Sequence, residues 1–129
     1  MTGPTDFSLE AFRAAQPRLV GRARRTPLID ATPLKENPAP GARLLLKLDN
    51  LQPTGSFKVR GASNTLMTLT DAQKQAGLIT ASGGNHGLGV AYAAAMAGCP
   101  AVIYLPTSTP ATKAEKLKSW GAEVVSIGE

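Results

Sequence analysis

One lysine, Lys58, stands where the sequence passes from a loop into a helix, directly behind the turn of residues 53–55. A lysine amine that is desolvated loses its charge more easily and then forms covalent bonds with aldehydes. Ser56 can cap the helix, which leaves Lys58 in a first turn whose backbone dipole disfavours a positive charge. The segment alone is compatible with a covalent catalyst, but it favours the commoner interpretation, a surface lysine at a helix start.

The second segment of chemical interest is a glycine-rich turn before an alanine-rich helix, made of Ser82, Gly83, Gly84, Asn85 and His86. Two glycines permit a tight turn and a close approach of the backbone to a ligand. Amides at the helix start can hold a carboxylate, and Asn85 offers both a donor and an acceptor. The alternative is that Asn85 caps the helix and the glycines only shape the turn.

His86 is the only histidine of the chain, which invites comparison with general-base catalysts. No partner for it stands nearby, so we expect a structural or orienting role instead. The same observation disfavours a serine or cysteine protease, because no triad of nucleophile, histidine and orienting group can be identified.

The elements that position these residues alternate between helix and strand after residue 57. The pattern predicts a helix over residues 58–69, a short helix opened by residues 70–73 and stopped by Gly77, a strand over 78–81 and a helix over 85–97 ended by Gly98. A strand over 101–105, a helix capped by Thr109 and running to Trp120, and a strand over 122–127 follow. Such alternation is typical of the α/β class, with an open parallel sheet and flanking helices. Ligands of these sheets sit outside the carboxyl ends of the strands, which is where residues 82–87 fall.

The part of the chain before residue 44 is less regular. Apolar positions predict an amphipathic helix over residues 7–20 that Pro17 breaks or kinks. An extended segment at residues 26–30, a loop over 35–42 and a short strand over 44–48 follow.

Composition limits the other functions open to the chain. Its 129 residues, 43% hydrophobic and 18% charged, suffice for about one domain. One cysteine excludes an internal disulfide and a sulfur-ligated metal cluster, and it suits a reducing cytoplasm. The apolar stretches are too short to span a bilayer and no secretory leader is evident, so we expect a cytoplasmic protein without membrane or metal partners.

Five of the 14 basic residues cluster near the N-terminus, namely Arg13, Arg18, Arg22, Arg24 and Arg25. A nucleic-acid arm would use such a cluster to neutralise phosphates. No aromatic residues that could stack on bases are interleaved with these arginines. We therefore favour a solvated helix face and a basic linker, with no nucleic-acid partner.

Two motifs of the chain are long enough to be specific: KLDNLQPTGSFKVRGA at residues 47–62 and TASGGNHG at residues 80–87. They resemble those of the serine/threonine dehydratase (threonine ammonia-lyase) family, whose fold-type II enzymes use pyridoxal 5′-phosphate. The resemblance implies that Lys58 binds the cofactor covalently, that Phe57 packs against its ring and that Asn85 hydrogen-bonds its 3′ oxygen. It also implies that residues 82–86 bind the carboxylate of a small amino-acid substrate.

The reaction that the resemblance implies is the elimination of water from L-threonine or L-serine, which ends in a 2-oxo acid and ammonia. The freed Lys58 amine would remove the α-proton, and the cofactor ring would spread the resulting charge. Asp49 stands where the family more often has glutamate. Gly83 stands where serine racemases carry a second serine, and His86 stands where cysteine and threonine synthases usually have threonine. These relatives are therefore the less favoured enzymatic alternatives.

The resemblance also divides the chain. Residues 44–129 would form the small α/β domain that carries the lysine, and residues 1–43 would belong to the large domain. The glycine-rich loop that grips the cofactor phosphate does not occur in this sequence, nor does the late serine, threonine or cysteine that meets the pyridine nitrogen. We therefore expect the isolated chain to bind pyridoxal phosphate weakly and without measurable turnover. A catalytically inactive fragment or interaction module is the alternative, and a full-length enzyme is expected to be a homo-oligomer.

Overall fold

The chain folds into alternating helices and strands in a computed structural model that describes residues 8–31, 35 and 40–128. The N-terminal part contains helix α1 (Leu9–Leu19), strands β1 (Leu28–Asp30) and β2 (Leu45–Lys47), and a short 3₁₀ helix (Asp49–Leu51). The remainder contains α2 (Lys58–Met67), α3 (Asp71–Ala76), β3 (Leu78–Ala81), α4 (Asn85–Ala97), β4 (Ala101–Leu105), α5 (Ala111–Lys118) and β5 (Glu123–Ser126).

Strands β3, β4 and β5 form a parallel sheet in chain order. Leu78 lies opposite Ala101, and Val102 lies opposite Glu123. Every second residue of the middle strand β4 is buried, because helices α4 and α5 pack on the sheet. The predicted α/β class, with an open parallel sheet and flanking helices, is confirmed.

Strands β1 and β2 form a separate antiparallel pair, in which Ile29 lies opposite Leu46. Both strands are exposed along their whole length, and Leu28 leaves 58% of its surface accessible. Strand β1 lies in the extended segment predicted at residues 26–30, and strand β2 lies in the strand predicted at residues 44–48. The pair therefore crosses the predicted domain boundary between residues 43 and 44. That boundary stays a prediction.

The hydrophobic core lies between the parallel sheet and helices α4 and α5. Its buried residues are Ala91, Ala94, Ala101, Ile103, Leu105, Leu117 and Ala122. Helix α4 also packs along α2, which buries Val59, Ser63 and Leu66. Because α4 is covered by both the sheet and α2, it uses glycine and alanine where a helix with one exposed face would carry polar residues.

The predicted bounds of β3, α4 and β4 agree with the structure residue for residue. Gly98 ends α4 in the left-handed region at φ 65°, and Thr70 and Gln73 form a capping box at the start of α3. Pro17 does not break helix α1, which continues for two more residues and ends at Leu19. Residue 7, the predicted start of α1, lies outside the described residues.

Two predicted helix caps are wrong. Ser56 does not cap α2, because Phe57 occupies the capping position with helical backbone angles (φ −64°, ψ −14°). Thr109 does not cap α5, because Pro110 occupies that position and offers no side-chain acceptor. Ser56 is instead buried, and its hydroxyl makes no hydrogen bond within the described residues.

Several of the N-terminal arginines hold their segment against the rest of the protein. Arg18 Nε donates to Asn64 Oδ1 of α2 at 2.7 Å, and the Arg24 guanidinium donates to the Leu51 carbonyl at 2.9 Å. The Arg22 carbonyl accepts a hydrogen bond from the Tyr92 hydroxyl of α4 at 2.8 Å. The side chains of Arg18 and Arg24 therefore have a packing role in this fold.

None of the helices in the described residues is long and apolar enough to cross a membrane. Among the same residues, no group of three or more His, Cys, Asp or Glu side chains is placed to hold a metal ion. The free cysteine, Cys99, is half-buried after α4.

Candidate active site

Lys58 is the first residue of α2, and its side chain is exposed. Its amine lies 5.2 Å from the centre of the Phe57 ring, which is a cation–π distance. Within the described part of the chain the amine makes no hydrogen bond and no ion pair. A lysine amine without a protein partner is available to a ligand.

A groove of about 530 Å³ opens beside this amine. Phe57 and Lys58 line it from the start of α2, His86 lines it from the first turn of α4, and β3 forms another wall. The described residues of the lining include no Asp or Glu, and much of the lining is apolar. Of its two cations, Arg60 is paired with Asp49, whereas Lys58 has no ion-pair partner among the described residues. The groove therefore suits a ligand that combines an apolar ring with negative charge.

The turn of residues 82–84 follows the carboxyl end of β3, as predicted. Ser82 Oγ accepts a hydrogen bond from the Gly84 amide at 3.3 Å, and Gly84 occupies the capping position of α4. Asn85 is the first helical residue and is exposed, so the alternative in which Asn85 caps the helix is wrong.

The structure brings three of the predicted site residues, Phe57, Lys58 and His86, to one groove. The other predicted residues, Ser82, Gly83, Gly84 and Asn85, precede His86 in the turn and do not line it.

The turn depends on a close backbone approach that only glycine permits. A side-chain carbon built on Gly87 would lie 2.0 Å from the carbonyl oxygen of Ser82, which no real contact allows. At Gly83 it would lie 3.3 Å from Thr109 Cγ2 and 3.4 Å from Leu105 Cδ2. Gly87 belongs to the motif of residues 80–87, but the sequence alone indicated no role for it. In the structure its role is to permit the close approach to the Ser82 carbonyl.

A network of polar side chains holds the start of α2. Arg60 makes two hydrogen bonds to Asp49, Nε to Oδ2 at 2.7 Å and Nη2 to Oδ1 at 2.9 Å. Thr26 Oγ1 and Gln52 Nε2 also donate to Asp49, at 2.5 and 3.2 Å. Gln52 exchanges two further hydrogen bonds with the Arg24 backbone, so α2 is tied to the N-terminal segment.

The charge of Asp49 is stabilised by this network. Hydrogen bonding from Arg60 lowers the pKa of Asp49 well below its ordinary value, burial opposes that change, and the donors Thr26 and Gln52 lower it further. The pKa of Arg60 is raised, chiefly by its hydrogen bonds to the same carboxylate. Both groups therefore stay charged across the physiological pH range.

The sequence profile of one family, described as "Pyridoxal-phosphate dependent enzyme", matches residues 20–129 and thus most of the chain. The chain belongs to the pyridoxal-phosphate dependent enzyme family. Among curated relatives, the catabolic L-threonine dehydratase of Staphylococcus aureus is 47% identical over 106 residues. The match covers 82% of this chain and 30% of the relative, so the chain spans about 30% of that protein's length.

Solved structures of pyridoxal-phosphate dependent enzymes share the fold. The processed form of threonine deaminase isoform 2 from Solanum lycopersicum superposes with a TM-score of 0.77 at 32% identity, over 98% of this chain and 38% of the other. Maize serine racemase superposes with a TM-score of 0.82 at 34% identity, over 95% of this chain and 36% of the other. The family resemblance drawn from the two sequence motifs is confirmed.

Proposed function

We propose that this chain carries the lysine-bearing part of an ammonia-lyase that converts L-threonine or L-serine to a 2-oxo acid and ammonia with pyridoxal 5′-phosphate. The observation that carries the proposal is the position of Lys58, whose amine borders the groove and has no hydrogen-bond or ion-pair partner among the described residues. Support comes from the relatives named for activity on threonine, one by sequence and one by structure.

The residues of the groove fit pyridoxal phosphate in kind. The cofactor carries an aldehyde, a flat ring and an anionic phosphate. The groove offers an amine at Lys58, an aromatic ring at Phe57 and apolar walls, whereas the guanidinium of Arg60 is already paired with Asp49. Asn85 does not line the groove but stands next to His86 in the first turn of α4, from where its exposed side chain would supply a hydrogen bond to the 3′ oxygen of the ring.

When it is bound, pyridoxal phosphate supplies an electron-withdrawing ring that stabilises negative charge at the α-carbon of an amino acid. The turn of residues 82–86 would orient that carbon by holding the substrate carboxylate at the start of α4, where the helix dipole favours an anion. Lys58 Nζ would accept the α-proton, and the β-hydroxyl would leave with one proton as water. Hydrolysis of the released enamine would then give the 2-oxo acid and ammonia.

Gly83 favours elimination over racemisation. A racemase that exchanges protons on both faces of the substrate needs a second proton-transfer group, and Gly83 has no side chain to supply one. A serine introduced there would have its Cβ 3.3 Å from Thr109 Cγ2, so neighbouring atoms would have to move. This observation supports a lyase even though maize serine racemase shares the fold.

Titration of the purified chain with pyridoxal phosphate, followed by visible absorbance, tests the proposed function. We expect a weak, saturable absorbance band in the wild type that Lys58→Ala abolishes. Lys113→Ala, at an exposed lysine of α5, is the matched control and should retain the band. Equal bands in the two variants would contradict the proposal.

An assay of turnover distinguishes a chain that is active on its own from a chain that is only an inactive part of an enzyme. Apart from the turn of residues 82–84, this sequence has no glycine-rich loop of the kind that grips the cofactor phosphate. Charge-assisted hydrogen bonds to the phosphate, which contribute about 1.5–3 kcal/mol each, are therefore missing from cofactor binding. We therefore expect no 2-oxo acid from the purified chain with L-threonine or L-serine. Product that appears in the wild type and disappears in Lys58→Ala would overturn this expectation, whereas neither binding nor product would favour an interaction module.

A further inference from the structure

Gly89 lies in the interior of α4, where glycine is a poor helix former, and it is buried. The proposed function assigns it no role. A side-chain carbon built on Gly89 would lie 3.0 Å from the carbonyl carbon of Lys58, 3.0 Å from its carbonyl oxygen and 3.2 Å from its Cβ. Gly89 is therefore the point at which α4 touches the backbone of the candidate catalytic lysine.

The contact is tighter than an ordinary van der Waals contact. Carbon atoms in ordinary contact lie about 3.5–4.0 Å apart, so a side chain at Gly89 requires a shift of about 0.3 Å or slightly more. The atoms that it would meet belong to the backbone and Cβ of Lys58 and not to the end of a flexible side chain. Relief must therefore come from moving the first turn of α2 away from α4.

This distance also sets the width of the groove. Lys58 and Phe57 line it from α2, while His86 and Val90, which flank Gly89 in sequence, line it from α4. A shift of α2 at Gly89 would move the amine relative to the opposite wall. Gly61, by contrast, lies in α2, and a side-chain carbon built on it would have no atom within 4 Å. The close contact between α2 and α4 therefore restricts the side chain at position 89 and not the one at position 61.

We propose that Gly89 is a positioning residue for Lys58: the absence of a side chain there sets where the Lys58 amine stands in the groove. The inference rests on the proposed function for its consequence, which is efficient bond formation between that amine and the aldehyde of pyridoxal phosphate. A misplacement of about 1 Å at a reacting group costs on the order of a hundredfold, so a shift of about 0.3 Å should cost about fourfold.

The test compares Gly89→Ala with Ala95→Gly, at an exposed position of the same helix. Each variant is mixed with pyridoxal phosphate and reduced with borohydride, and mass spectrometry measures the fraction of Lys58 that carries the reduced cofactor. The first substitution raises helix propensity and the second lowers it. If labelling followed helix stability, Gly89→Ala would label as well as the wild type or better. Positioning predicts the reverse: about fourfold less labelling in Gly89→Ala and wild-type labelling in Ala95→Gly.

A second measurement depends on neither the cofactor nor the variant. In the nuclear magnetic resonance spectrum of the wild-type chain we expect a nuclear Overhauser effect between the α-protons of Gly89 and the β-protons of Lys58. Its absence would overturn the proposal even if Gly89→Ala failed to fold, and so would undiminished labelling of a folded Gly89→Ala. A wild-type chain that shows the effect but never labels Lys58 would instead refute the proposed function.

Discussion

Replacing Asp49 by asparagine removes the charge that holds the start of α2 against the N-terminal segment. The side chains of Arg60 and Asp49 are 31% and 14% exposed, so the pair is largely shielded from water. Removing one partner of a fully buried pair costs about 3–5 kcal/mol, and partial exposure reduces that loss. Asparagine can still accept a hydrogen bond, so we expect Asp49→Asn to lower the free energy of unfolding by about 2 kcal/mol at neutral pH.

Urea unfolding followed by circular dichroism measures this change. With a slope of about 2 kcal/mol per molar urea, the unfolding midpoint should fall by about 1 M. Asp30→Asn is the matched control, because the Arg43–Asp30 pair is 74% and 54% exposed and should contribute nothing resolvable. A midpoint for Asp49→Asn equal to that of the control would show that the Arg60–Asp49 pair does not stabilise the folded state.

The pH dependence of the same variant provides a second check. Because Arg60 lowers the pKa of Asp49, the folded state binds this proton more weakly than the unfolded state does. The stabilisation is therefore fully present above the ordinary aspartate pKa of about 3.9 and is lost as the pH falls toward the folded pKa. The stability gap between wild type and Asp49→Asn should shrink as the solution is acidified below about pH 4. A gap that stays constant under acid would contradict the assigned role of the ion pair.

Three further substitutions test the packing around the site. Gly87→Ala should loosen the turn after β3, because the added carbon would lie 2.0 Å from the Ser82 carbonyl oxygen. Amide hydrogen exchange of residues 82–86 should then be faster than in the wild type. An unchanged exchange rate would contradict the close approach of Gly87 to Ser82. Tyr92→Phe should cost about 1 kcal/mol through loss of the hydroxyl bond to the Arg22 carbonyl, measured by urea unfolding. Leu117→Ala should cost about 2–5 kcal/mol, because Leu117 is 1% exposed in the core. An unchanged urea midpoint in either of these last two variants would show that the packing described is wrong.

The regular part of the fold follows from local sequence signals. Glycines such as Gly77 and Gly98 end helices because they tolerate positive φ, and apolar strands follow at once. Those signals are independent of distant parts of the chain, so the bounds of β3, α4 and β4 could be predicted. Helix caps were less predictable, because the angles of Phe57 and Pro110 decided which residue took the capping position.

The sequence predicted residues that line the candidate site, but it did not predict the interactions that hold those residues in place. Phe57, Lys58 and His86 reach one groove as the motifs suggested, since each stands at the start of a helix on the same part of the fold. The Asp49 network joins residues far apart in the chain, and no local spacing indicates it. Gly89 did leave a signal, because a glycine in a helix interior needs a packing reason, but only the structure shows that the reason is the Lys58 backbone.

The central claim is that Lys58, among all the lysines of the chain, is the amine to which pyridoxal phosphate bonds. Peptide mapping of the wild-type chain, after borohydride reduction with less than one equivalent of cofactor, tests it most directly. We expect the label to concentrate on Lys58 and to spare the exposed lysines of α5, such as Lys113 and Lys116. A label spread evenly over the exposed lysines, or concentrated on any lysine other than Lys58, would contradict it.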